Sequence, residues 1–169
     1  MNDAHFHLIV NHLPIIVPMV GIFVLLIGFI LNQEIIKRVS YAIFIIGAIA
    51  TFPAMNSGEG AEEIVEHLPG MSHDLIHEHE EKAEFFAILS YLLGVVSLIS
   101  LWVSWKRKKF ATMVSALVLV FSVVVLFFGR QAGTSGGEIS HPEIREGFKA
   151  AAYDDHNEKG EVDEEHDED

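Results

Sequence analysis

Polar and apolar positions do not alternate evenly along this chain; the apolar ones run together. Four stretches hold no Asp, Glu, Lys or Arg: 14–31, 39–58, 85–105 and 110–129, with lengths of 18, 20, 21 and 20 residues. At a rise of about 1.5 Å per residue, some 20 apolar residues span the ~30 Å hydrocarbon core of a bilayer. Helices of a soluble domain would show a polar face along their length, and these runs show none. The pattern predicts an all-α fold: an integral membrane, antiparallel four-helix bundle with helices at about 8–32, 39–57, 80–105 and 110–129. Residues 1–149 form the transmembrane domain, including an outer loop at 58–84, and 150–169 an acidic tail.

Between the helices, charge sets the orientation. Lys37 and Arg38 lie in the first connection and Lys106, Arg107, Lys108 and Lys109 in the third, with Glu34 as the one acid among them. By the positive-inside rule both connections are cytoplasmic, which puts the N- and C-termini on the outer, periplasmic side of the inner membrane. The first helix is read as retained rather than as a cleaved signal, since Asp3 is the only charge before it and Pro14 and Pro18 interrupt the run. Trp102 and Trp105 beside the basic loop fit an interfacial anchor. Gly21, Gly28, Gly47, Ala54, Ser90, Gly94, Ser97, Ser100 and Ser104 are small residues spaced for close helix packing.

The chain carries 24 acids against 11 Lys plus Arg, a net charge of −13, which argues against nucleic acid as a partner. It has no cysteine, so disulfides, thiolate zinc sites, iron–sulfur clusters and covalently attached c-type haem are excluded. The last 16 residues, 154–169, hold ten acids and one lysine, and such a run is expected to be disordered.

The orientation places all ten histidines on one side: His5, His7, His12, His67, His73, His77, His79, His141, His156 and His166. Three groups among them carry possible chemistry. In the first, His7-x4-His12-x-Pro14 opens helix one, and His12, adjoining the apolar run, is expected to be the most buried histidine. It would ligate a cofactor or bond a carbonyl freed by Pro14 or Pro18. In the second, His73 and His77 stand at i, i+4, a spacing that lets one metal bind both. Asp74 and the missing third ligand separate this from a zinc-protease motif. His79 sits on the face of Ala83 and Phe86 and is expected to look across at helix one. In the third, Glu138 and His141 stand at i, i+3 beyond helix four. The glycine-rich segment 129–137 is expected to leave regular helix and fold back over the bundle. Arg130 would meet a haem propionate or pair with Glu59 or Glu62. The two helix pairs share topology but no motif strong enough to mark a repeat.

His7, His12 and Pro14 resemble the signature of a family of small bacterial membrane proteins of unassigned function, written His-Pro-x3-His-Phe-Pro. His79 with Ala83, and Gly137 with His141, match later positions of that pattern; Leu8 and Leu13 replace its first proline and its phenylalanine. The resemblance covers Ala4 to Arg145 and implies the fold and the histidines of interest, without naming a reaction.

Imidazoles on facing helices are how a bundle holds haem b without covalent attachment. The leading expectation is a small membrane b-type haem protein transferring electrons near the outer face, an electron carrier or binding subunit rather than a stand-alone enzyme. Its axial ligands would be His12 and His79, with His7 or His141 as substitutes and Arg130 near a propionate. The alternatives are an accessory protein holding a Zn, Cu, Ni or Fe ion on histidines and carboxylates, with His73 and His77 as a further site, and a redox-silent subunit of a larger complex. Partners are the lipid bilayer and a membrane or periplasmic protein.

Overall fold

The computed structural model describes residues 2–68, 71–106 and 108–148. Among these the chain is helical, without strands: α1 (Asp3–Val10), α2 (Leu13–Ile30), α3 (Glu34–Val65), α4 (His73–Lys106) and α5 (Ala111–Ser140). Short 3-10 turns at Lys108–Phe110 and Pro142–Ile144 precede and follow α5. The expected tail disorder, with His156 and His166, lies outside the described residues.

Helix one is two pieces. Pro14 sits in the first turn of α2 and cannot donate to the carbonyl of Val10, so the ladder breaks at Asn11–His12 and α1 leans onto α3. Asn2 caps α1 by accepting from the His5 backbone N–H at 2.9 Å. At the other end of α2 the chain reverses within three residues. Asn32 takes φ +50°, the Asn32 and Gln33 N–H groups bond back to Phe29 and Gly28, and α3 begins at Glu34.

Four spans, counting α1 and α2 as one, are long and apolar enough to cross a membrane. Their outward faces are rich in bare hydrophobic side chains, with Ile30 81% and Ile49 66% exposed, a surface that water penalises and lipid does not. The core runs along the bundle axis through Ile22, Leu25, Tyr41, Phe44, Phe86, Leu93, Val118 and Val125. Apolar burial would give such helices little drive to associate in lipid, where close packing and interhelical hydrogen bonds would hold a bundle. Tyr41 Oη meets Ser115 Oγ at 2.7 Å and Thr51 Oγ1 meets Ser90 Oγ at 2.8 Å, tying α3 to α5 and to α4. The remaining buried serines mostly bond carbonyls of their own helix three or four residues back, for example Ser122 to Leu119, which satisfies them without a partner helix.

The two ends of the bundle differ. At the basic end Lys37 is 1% exposed, bonded to Glu34 at 2.8 Å and stacked over Phe29. Arg38 donates to the Ser104 carbonyl and Oγ near the C-terminus of α4 and lies over Trp105. The opposite end carries the histidines.

The buried positions repeat. Those of α2 (Pro14, Pro18, Gly21, Ile22, Leu25, Gly28) each recur 72 residues later on α4 as Phe86, Ser90, Leu93, Gly94, Ser97 and Ser100. Seven buried positions of α3, from Lys37 to Ser57, recur 78 residues later on α5, from Ser115 to Ser135. The chain is thus two copies of one helix-pair plan, which corrects the reading that its halves share topology alone. The identical side chains are few; what repeats is which positions face inward.

α5 overturns a second expectation. It stays helical through Gly129, Gly133, Gly136 and Gly137 to Ser140. Glycine in a helix costs about 1 kcal/mol against alanine, and here it permits close packing. A Cβ on Gly129 would lie 2.9 Å from the Phe86 ring.

Candidate functional site

At the histidine end, α1 delivers His7 and α4 delivers His79, each on the inward stripe of its helix. His79 precedes Phe86 and Leu93 by one and two heptads, and His7 stands one heptad before Pro14 and two before Gly21. The His7 Nδ1–H donates to the Ala54 carbonyl at 3.1 Å and lies 3.0 Å from Ser57 Oγ. The His79 Nδ1–H donates to the Ala132 carbonyl at 3.1 Å and lies 3.1 Å from Ser135 Oγ. In both cases the serine hydroxyl donates to the same alanine carbonyl, at 3.1 and 3.0 Å. The two triplets are equivalent under the repeat, and Ala-x-x-Ser-Gly at 54–58 and 132–136 is the sequence that makes them.

A carbonyl oxygen can only accept, so in each neutral ring the proton sits on Nδ1 and Nε2 keeps its lone pair. This is the tautomer of a metal-ligating imidazole, whose other nitrogen is held by a carbonyl or carboxylate. A glycine follows each serine, and the one at 136 is needed to clear its ring. A Cβ on Gly136 would come 2.9 Å from His79 Cε1, and one on Gly58 3.7 Å from His7 Cε1.

The other histidines are placed differently. His12, expected to be the most buried, is exposed at the break between α1 and α2, with its Nδ1 against the neighbouring Asn11 side chain. The break at Pro14 turns it off the inward stripe. His79 lies on its expected face but bonds α5 rather than the first helix. His141 is exposed and bonds Glu143 at 2.9 Å, not Glu138. The backbone N–H of Glu143 and the His141 imidazole hold that carboxyl below its ordinary range. His73 and His77 are exposed; His77 lies 3.5 Å from Glu80 and 3.7 Å from Glu81. His5 and His67 are exposed as well. Among the described residues no three His, Asp or Glu side chains converge as an ion site. Arg130 pairs with no carboxylate among them; Glu59 and Glu62 are not its partners.

Sequence reasoning missed Ser57 and Ser135 and ranked His7 below His12. The one available signal was the recurring Ala-x-x-Ser-Gly, five residues long.

No family model, curated protein or solved structure matches the chain.

Proposed function

We propose that this is a multi-pass membrane protein that holds one haem b between His7 and His79 and passes electrons at its outer face. The observation that carries the reading is the duplicated triplet: two imidazoles at one bundle mouth, in the same tautomer, each with Nε2 free. Two imidazoles suffice for haem, whereas a bare zinc or copper ion calls for three or four donors. Among the described residues no third His, Asp or Glu joins either imidazole, so the two rings are the donors on offer. The bundle offers aliphatic and aromatic side chains beneath the pair, and Arg130 at the same end offers a cation for a propionate. When bound, haem supplies one-electron transfer. The chain holds both rings in place through Ala54, Ser57, Ala132 and Ser135 and fixes their protons on Nδ1.

Membrane insertion is supported by the four apolar spans, and the orientation by the basic residues at the opposite end, Lys37, Arg38 and Lys106 among them. The resemblance carried by His7, His12 and Pro14 agrees with this fold and adds no activity.

The test is a reduced-minus-oxidised spectrum of the protein purified in detergent after haem-replete expression. Soret and α bands of a six-coordinate, low-spin haem are expected. Colourless protein carrying stoichiometric metal would replace this reading with the ion-binding one, and colourless protein without metal would leave a redox-silent subunit.

A further inference from the structure

Between α4 and α5, beside His79, lies an open cavity of about 280 Å³ lined by Lys82, Phe127, Arg130, Gln131, Thr134 and Glu138. Ser135, which bonds the His79 ring, forms part of its wall. A second hollow of about 250 Å³ shares Lys82 and Gln131 with it and adds Glu81, Phe85 and Phe128. The groove lies at the outer ends of the charge-free runs 85–105 and 110–129, where apolar and charged positions meet.

The internal repeat provides a control for what this wall needs structurally. The residues equivalent to Lys82, Arg130, Gln131 and Glu138 in the first half are Val10, Phe52, Pro53 and Gly60. The helix-pair plan therefore folds with Val10, Phe52 and Pro53 at three of these places, and with the Asp3 carboxyl lying against Gly60 at the fourth. Lys82, Arg130 and Gln131 thus have no charged or amide counterpart in the first half, and they converge on one groove.

The chemistry of the wall narrows the class. Lys82 is already paired with Glu78 at 2.6 Å, and Glu138 adds a carboxylate, so the site has little net positive charge for a phosphate. A neutral ring carrying two oxygens suits it better. Arg130 and Gln131 donate to carbonyl oxygens, and Glu138 accepts from a hydroxyl. Phe127, 58% exposed, flanks the ring, and the apolar surface of the two helices receives a long tail. The volume suits one such ring and is too small for a haem.

We propose that this groove binds the head of a membrane quinone or quinol, one serine away from His79. Its role as the redox partner rests on the haem reading; the binding itself does not.

The experiment titrates a short-tailed ubiquinone analogue, and separately its quinol, into haem-loaded and haem-free protein in nanodiscs, followed by calorimetry. Saturable binding to both forms is expected. Arg130→Gln and Gln131→Leu should each weaken it by about tenfold, the loss of one good hydrogen bond. Glu138→Gln should weaken the quinol more than the quinone. Phe52→Ala, at the equivalent place in the first half, should leave binding unchanged. Absence of saturable binding would overturn the proposal, as would binding indifferent to Arg130→Gln and Gln131→Leu. Competition by inorganic phosphate, or by short-chain phosphatidylglycerol at equal or better affinity, would make the groove an anion or lipid site instead. Quinone binding to a protein that never takes up haem would retain the groove and remove the haem.

Discussion

His7 and His79 are held identically: each ring donates from Nδ1 to the carbonyl of an alanine, Ala54 or Ala132, beside the hydroxyl of the serine three residues on. Two unrelated surface histidines would not share tautomer, partners and register. The equivalence separates these two from the other six histidines among the described residues.

The serines should tune rather than create the site. In Ser57→Ala or Ser135→Ala the alanine carbonyl still takes the ring N–H, so cofactor binding should weaken by about ten- to a hundredfold without vanishing. Haem-transfer titration of each variant measures this. Complete loss in either would mean that the hydroxyl, not the carbonyl, fixes the ring.

The glycines beside the rings should differ. Gly136→Ala puts a methyl 2.9 Å from His79 Cε1 and must push the ring away from Ala132. A stability loss of about 1–3 kcal/mol and weaker cofactor retention are expected. Gly58→Ala meets His7 at 3.7 Å, an ordinary contact, so the gain in helix propensity should leave it neutral or slightly stabilising. Thermal unfolding in detergent distinguishes the two, and equal effects would contradict the asymmetry.

Much of the fold was legible because long apolar helices are written in composition: four charge-free runs gave four spans long and apolar enough to cross a membrane. Their ends were not, since α3 continues past residue 57 and α5 past residue 129, where polar and glycine residues mimic a loop. The glycines of α5 are set by neighbours such as Phe86 and His79, and tertiary contacts cannot be read locally. His12 and His7 were exchanged for a related reason. Hydropathy puts His12 nearer the apolar run, but the break that Pro14 imposes decides which histidine faces α3. The repeat escaped notice because it is conserved in burial rather than identity: Leu25 recurs as Ser97 and Lys37 as Ser115.

At the basic end, Lys37 and Glu34 should behave as a coupled pair. Glu34→Gln leaves a buried ammonium without its counter-charge and should cost about 1–3 kcal/mol. Lys37→Met keeps the stem against Phe29, and the double replacement should be less destabilising than the two single effects added. Additive effects on thermal unfolding would show that the contact contributes nothing.

Orientation is open to labelling, since the chain has no native cysteine. Single cysteines at Gln33 and Lys108 should react only from the cytoplasmic side, and those at Gly70 and Lys159 only from outside. The reverse pattern would place the histidine mouth inside the cell.

The central claim is that His7 and His79 ligate one cofactor. Haem content per protein, measured after haem-replete expression for His7→Ala, His79→Ala, their double variant and His12→Ala, tests it most directly. Each of the first two should lose most of the haem, the double variant should lose little more than either single one, and His12→Ala should keep it. Full haem in His7→Ala together with its loss in His12→Ala would contradict the account.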